Sequence, residues 1–130
     1  MGVMSTRARL LLIDDDEALR RSLARVLGAS FDVTQAADGV AALEVLAGGD
    51  FDVVVTDLEM PRLSGDGVVA WLRANRPALA EHVVVISAGS ADPARGAWLR
   101  AYDASLVVRK PAGVEEIIAA VRRALERGAT

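Results

Sequence analysis

The chain has no cysteine and one histidine, His82, among 130 residues. Without thiols it can form no disulfide framework, no thiolate zinc site and no cysteine nucleophile. A histidine-rich metal centre or a Ser/His/Asp triad has almost nothing to draw on. His82 stands just ahead of the fourth apolar run and reads as a surface residue with no role in a site. Positive charge is not in surplus either. Lys and Arg number 15 against 18 Asp and Glu, a net charge of −3, which is the wrong sign for a protein that neutralises nucleic-acid phosphates. Long hydrophobic runs are also missing: the longest, Gly67 to Leu72, falls far short of the ~18 residues a crossing helix needs. No charged stretch leads into an apolar region as in a secretory leader. The expectation is a soluble, cytoplasmic protein with no membrane and no direct nucleic-acid partner.

What the chain does have is apolar material, 52% of its residues, enough for a core without disulfides or a structural metal. Its length suits one domain. Short β-branched or Leu-rich runs recur at intervals of roughly twenty to thirty residues, with helix-period segments between them, which predicts a parallel α/β sheet. The strands are Leu10–Ile13, Phe31–Thr34, Val53–Thr56, Val83–Ile86 and Leu106–Val108. Four are continuously apolar, as strands covered on both faces must be; Phe31–Thr34 alternates and belongs at an edge.

Five helices are expected between and after these strands. Leu19, Leu23, Val26 and Leu27 form the stripe of the first, which stops at Gly28. Asp38 caps a second carrying Val40, Leu43 and Leu46, and Ser64 caps a third with Val68, Val69 and Leu72 inward and Pro77 beyond its end. The fourth, Pro93 to Tyr102, is interrupted by Gly96. The last carries Ile117, Ile118, Val121 and Leu125 and ends at Gly128. The expected organisation is a flexible segment over 1–8 and one domain over 9–128, with no output domain.

In an open α/β sheet the loops at the carboxyl ends of the strands form the ligand site. Here strand one ends in Asp14-Asp15-Asp16, strand three in Asp57, strand four in Ser87 and strand five in Arg109-Lys110-Pro111. Two carboxylates about 4 Å apart repel by roughly 4 kcal/mol at an effective dielectric of 20. Asp14, Asp15 and Asp57 therefore need cations. Lys110 supplies one charge, and a hard divalent ion such as Mg²⁺, content with carboxylate, water and phosphate oxygens, would supply two more. A metal beside a carboxylate, a cation and a hydroxyl is what phosphoryl transfer requires, with Asp57 as the attacking oxygen nucleophile.

Four segments carry a family resemblance: Leu11-Leu12-Ile13-Asp14-Asp15-Asp16-Glu17, Val55-Thr56-Asp57-Leu58-Glu59-Met60-Pro61 with Gly65 following, Val85-Ile86-Ser87-Ala88, and Val108-Arg109-Lys110-Pro111. All four in order, each at a strand end, make the chain similar to the receiver domain of two-component response regulators over almost its whole length. The resemblance implies a flavodoxin-like, doubly wound five-stranded parallel sheet in the order 2-1-3-4-5. It implies that Asp57 takes a phosphoryl group from a histidine kinase or phosphotransfer protein. Asp15 would bind Mg²⁺ directly, Asp14 largely through water, and Asp57 and the Glu59 backbone carbonyl would complete the protein's ligands. Ser87 would hydrogen-bond a phosphoryl oxygen, Lys110 would pair with another, and the Lys110-Pro111 bond would be cis. An unknown effector would read the face of the fourth helix, fifth strand and fifth helix. The protein would be no enzyme beyond assisting its own phosphorylation and dephosphorylation.

The chain departs from the family at Val107, three residues before the lysine, where receivers commonly carry a Tyr or Phe that swings inward on phosphorylation. Trp98 and Tyr102 offer the aromatic surface that strand five lacks. The alternative reading is a small aspartate-nucleophile phosphatase of the haloacid-dehalogenase type. Asp14-x-Asp16 fits its paired acids, but position 18 is Ala and there is no room for a cap domain.

Overall fold

Three strands with continuous apolar runs make the middle of the sheet. In the computed structural model, which describes residues 7–127, β1 (Arg9–Ile13), β3 (Val53–Asp57) and β4 (Val83–Ser87) lie side by side, with β2 (Asp32–Ala36) and β5 (Val107–Arg109) at the edges. All pairings are parallel, in the order β2-β1-β3-β4-β5. The chain is thus a doubly wound, flavodoxin-like α/β domain, and the alternating Phe31–Thr34 segment falls at an edge as expected. The strand itself begins one residue later, because Phe31 turns into the core.

Successive side chains of a strand point to opposite faces. Leu10 and Leu12 meet Leu23 and Leu27 of α1 (Glu17–Leu27) and Ile117 and Val121 of α6 (Val114–Glu126) on one side. Leu11 and Ile13 meet the opposite layer, with Ala42 and Leu46 of α2 (Gly39–Gly48) and Val68, Val69 and Leu72 of α3 (Gly65–Asn75). Each fully buried Val, Leu or Ile contributes about 1.5–3 kcal/mol. That apolar stack can therefore carry polar groups at its rim that would otherwise destabilise it.

Several helical details differ from the sequence reading. Among the described residues six α-helices form rather than five, because Pro77, placed beyond α3, starts the one-turn α4 (Pro77–Ala80) with its fixed φ at the first position. Leu19 and Val26 are 45% and 43% exposed: they flank the α1 stripe and line a groove toward α6 instead of the sheet. Val40 is likewise exposed, and the small Ala42 and Gly39 bring α2 inward. Asp16 and Asp38 cap α1 and α2 through Leu19 N–H and Ala41 N–H, whereas Ser64 occupies the cap position of α3 without making the cap bond. Its hydroxyl donates to Asp66 instead.

The helix interrupted by Gly96 forms as α5 (Pro93–Ala101), capped by Asp92, which accepts from Ala94 N–H and Arg95 N–H. Gly96 and Leu99 are its buried residues. A 3₁₀ turn, Ala104–Leu106, takes the start of the expected fifth strand. His82 is half-buried, with Nδ1 2.7 Å from the carbonyl oxygen of Ala124, so it tethers α6 rather than lying free on the surface. Gly128 and residues 1–6 of the expected flexible segment lie outside the described residues. Among the described residues no helix is long and apolar enough to cross a membrane.

Two glycines make opposite predictions. A Cβ on Gly65 would come within 2.5 Å of the carbonyl oxygen of Asp57 and 3.0 Å of Leu58 Cα, while one on Gly48 would meet nothing within 4 Å. Gly65→Ala should cost about 1–3 kcal/mol by overpacking against backbone, and Gly48→Ala should be neutral or stabilising by up to ~1 kcal/mol through helix propensity. Urea unfolding of the two variants checks both signs.

Candidate functional site

The parallel register brings the carboxyl ends of β1, β3, β4 and β5 to one edge. Asp57, the last residue of β3, pairs across to Ile86, and the next amide, Leu58 N–H, donates to Ile86 carbonyl at 2.9 Å. Ser87 pairs with Arg109, and Lys110 N–H donates to the Ser87 carbonyl, also at 2.9 Å. These ladders deliver Lys110 to Asp57, its Nζ 3.1 Å from Asp57 Oδ2 across a sequence separation of 53 residues. The Lys110–Pro111 peptide is cis, as expected.

Asp14 and Asp57 are buried, 4% and 7% exposed, and Asp15 is exposed beside them. One carboxylate oxygen from each of the three lies within 4.8 Å of the others. Asp14 is held on every side: its Oδ1 accepts from Asp16 N–H at 2.9 Å, its amide donates to Ala36 carbonyl, and its carbonyl accepts from Arg20 Nη1 at 2.9 Å. Ser87, 1% exposed, uses its Oγ to accept from Gly89 N–H at 2.9 Å. The expected residues Asp14, Asp15, Asp57, Ser87 and Lys110 thus reach one edge. The Glu59 side chain does not join them: it leaves the edge to form an ion pair with Arg95 Nη1 at 3.0 Å.

Burial pushes the carboxyl groups of Asp14 and Asp57 above the ordinary carboxylate range. For Asp57, the Lys110 bond and charge oppose that rise, and the Asp14 and Asp15 charges add to it. For Asp14, the Asp16 amide and Lys110 oppose it, while Asp15 and Asp16 add to it. The result is an oxygen-rich, anion-excess cleft with one cation in contact. Hard carboxylate donors, partly open to solvent, suit a divalent ion of the Mg²⁺ type.

Three contributors escape a reading of the sequence. Thr56, fully buried, donates its hydroxyl to the Asp57 carbonyl at 2.9 Å. Arg20 and Arg95 hold backbone or side chains of the site loops from neighbouring helices. The signal for Thr56 was its adjacency to Asp57; nothing in the sequence pointed to the two arginines, whose partners come together only on folding.

The response regulator receiver domain model matches residues 10–122. The chain is 39% identical over 120 residues to response regulator MprA of Mycobacterium sp. (strain KMS), covering 92% of this chain and 51% of that protein. The same protein from Mycobacterium ulcerans (strain Agy99) is also 39% identical, with 50% of its length covered. The chain therefore spans about half the length of these curated relatives. Among solved structures, a response regulator receiver domain protein from Clostridium thermocellum superposes with a TM-score of 0.79 at 25% identity, covering 92% of this chain and 95% of that one. A CheY-like receiver domain protein from Methanospirillum hungatei JF-1 gives 0.80 at 20% identity over 93% and 95%, and supports the fold alone.

The buried acids predict a measurable cost. Because their folded pKa values are raised, the folded protein takes up these protons before the unfolded chain does. Their neutral forms add stability that is complete below 3.8 and is lost as pH rises through the folded values. Asp14→Asn keeps the acceptor for Asp16 N–H and removes one charge. With metal chelated at pH 7 it should melt higher than the parent, since about 1 kcal/mol moves the Tm of a domain this size by roughly 3–6 °C. The difference should shrink as pH is lowered toward 4. Calorimetry in EDTA across that range tests it.

Proposed function

The chain belongs to the response regulator receiver domain family, and on that premise we propose that Asp57 is the phosphoacceptor of a two-component or phosphorelay signalling module. The observation that carries this is the contact between Lys110 Nζ and Asp57 Oδ2 at 3.1 Å, beside the clustered carboxylates of Asp14 and Asp15. A lone buried lysine–aspartate pair needs no further acids. Two additional acids at the same edge are costly unless they serve a cation and an incoming anion.

In the proposed reaction an ionised Asp57 oxygen attacks the phosphorus of a phosphohistidine on a histidine kinase or phosphotransfer protein. The P–N bond breaks, its electron pair stays on the donor imidazole nitrogen, which takes a proton from solvent, and an acyl phosphate remains on Asp57. Lys110 meets the charge on the transferred group. Ser87 gives up its bond from Gly89 N–H only in part, because its oxygen can accept that bond while its proton goes to a phosphoryl oxygen. Asp14, Asp15, Asp57 and the Glu59 carbonyl are the groups that would hold Mg²⁺, which would supply charge neutralisation of the phosphoryl oxygens when bound. Thr56 and Arg20 fix the backbone on either side of the acids.

The groove of about 540 Å³ between α1 and α6 shares Asp14 and Lys110 with the site and is otherwise apolar apart from Ser22, with Leu19, Val26, Pro111 and Ile117 among its walls. Its position fits a helix of the phosphodonor. An effector is proposed to read the α5–β5–α6 face, the fourth-helix, fifth-strand and fifth-helix face of the sequence reading. The phosphatase alternative has less to stand on: Asp16, the second acid of its motif, is engaged as the cap of α1, and the lysine contacts Asp57 rather than Asp14.

Two measurements test the proposal. Incubation with acetyl phosphate and Mg²⁺ should add one phosphoryl group to the intact mass, and Asp57→Asn should add none while remaining folded. Label persisting in that variant would assign the nucleophile elsewhere, and sustained turnover of a generic phosphate ester would favour the phosphatase. Separately, Mg²⁺ at about 100 times its Kd should stabilise the unmodified protein by ~2.7 kcal/mol, and Asp15→Asn should lose most of that rise in Tm.

A further inference from the structure

Helix α5 is lightly anchored. Only Gly96 and Leu99 are buried on it, and its aromatic residues Trp98 and Tyr102 are half-buried. Its strongest polar tie runs through Arg95, whose three guanidinium nitrogens are all engaged. Nη1 donates to Glu59 Oε2 at 3.0 Å, Nε to Asp66 Oδ1 at 3.1 Å and Nη2 to Ser64 Oγ at 3.3 Å. These partners sit at the two ends of one loop. Glu59 lies two residues beyond Asp57; Ser64 and Asp66 flank Gly65, whose amide donates to the Leu58 carbonyl and where an added Cβ would come within 2.5 Å of the Asp57 carbonyl oxygen. Arg95 itself follows the loop that leaves Ser87. One side chain therefore joins the loop after the acceptor strand to the helix after the hydroxyl strand.

We infer that Arg95 is a positioning residue that couples α5 to the charge of the acceptor site, by neutralising Glu59 and clamping the loop between β3 and α3. The inference rests on the phosphoacceptor reading and extends it. A planar fork engaged on three nitrogens fixes orientation as well as charge, which a lysine could not do. With Arg95 removed, the Glu59 carboxylate is left unpaired two residues from an anion-excess cleft that must admit an anionic phosphodonor. At equilibrium the coupling is reciprocal: if the clamp changes the free energy of the loaded state, loading changes the hold on α5 by the same amount.

The experiment uses the full chain, acetyl phosphate and Mg²⁺, with hydrogen exchange of α5 amides as a second readout. Arg95→Ala should slow loading by about two- to fivefold, the range in which partly exposed ion pairs act, and should speed exchange in α5 of the unloaded protein. Adding Glu59→Gln to Arg95→Ala should recover most of the loading rate, because the freed charge is gone while the backbone carbonyl stays. Phosphorylation should change α5 exchange in the parent and change it less in Arg95→Ala. Loading and exchange both equal to the parent's would overturn the inference, and a double variant as slow as Arg95→Ala would overturn the charge argument. If the parent takes no label, the acceptor reading has failed. Exchange in the unloaded proteins then still decides whether Arg95 holds α5, and unaltered exchange would remove the clamp as well.

Discussion

The contact between Lys110 and Asp57 ties together more of this molecule than its single hydrogen bond suggests. A carboxylate at the end of a fully buried strand is costly without a partner, and the partner arrives from the far end of the chain by way of β4. Three strands must therefore be in register for the pair to exist. In a sheet apolar on both faces, alternation of polar and apolar residues cannot supply that register, because a slip by one residue still buries Val, Leu or Ile. Acids and the lysine at the strand ends can. A shifted β3 or β5 would draw Asp57 into the apolar stack or carry Lys110 away from it. The charged edge thus helps specify the fold while it opposes stability through the repulsion among Asp14, Asp15 and Asp57.

That division of labour explains what was legible beforehand. Strand runs, parallel topology and the site edge could be read because each depends on local composition: continuous β-branched stretches, followed by acids or a lysine where the strand runs out. Asp16 and Asp38 announced helix starts for the same reason, a side-chain oxygen reaching an amide three residues ahead. Ser64 broke the pattern because a neighbouring acid, Asp66, competes for its hydroxyl. Leu19 and Val26 were misplaced because periodicity identifies an apolar face but not its width, and α1 needs only Leu23, Ala24 and Leu27 to cover its share of the sheet. The roles of Arg20 and Arg95 depend on loops that meet only in the folded chain, so spacing carried no trace of them.

The two layers of the core differ in what they meet at the site edge. On the α1–α6 side, Leu23, Ile86 and Ile117 run up to the groove beside Asp14 and Lys110, so that wall is apolar. On the other side, the loop after β3 meets α5 through Glu59, Ser64, Asp66 and Arg95, so that wall is ionic. Close-packed apolar walls resist small displacements, whereas half-exposed ion pairs rearrange at little cost and respond to added charge. Among the described residues, left-handed backbone also falls on this side. Arg62 and Gly89, with φ of 69° and 101°, stand in the two loops that this wall joins.

This asymmetry bears on how a receiver without a strand-five aromatic could transmit a change. Val107 is short and stiff at χ1 and has no ring to move. Tyr102 does not take over that motion: its hydroxyl donates to the Val83 carbonyl at 2.8 Å, at the opposite end of β4 from Ser87, and its ring stacks on Trp98 with centroids 4.9 Å apart. Burial pushes the phenol up to about 12, so across the physiological range it remains a neutral donor and a fixed tie. Trp98 and Tyr102, expected to offer the aromatic surface that strand five lacks, are both half-buried, and Tyr102 is bound. Helix α5 is left with a part-buried hydrogen bond at its C-terminal end and an ionic fork near its N-terminal end. Of the two, only the fork joins the loop that leaves Asp57. With Asp57 as the proposed acceptor, added charge there reaches α5 first through this fork, at the end that Tyr102 does not hold.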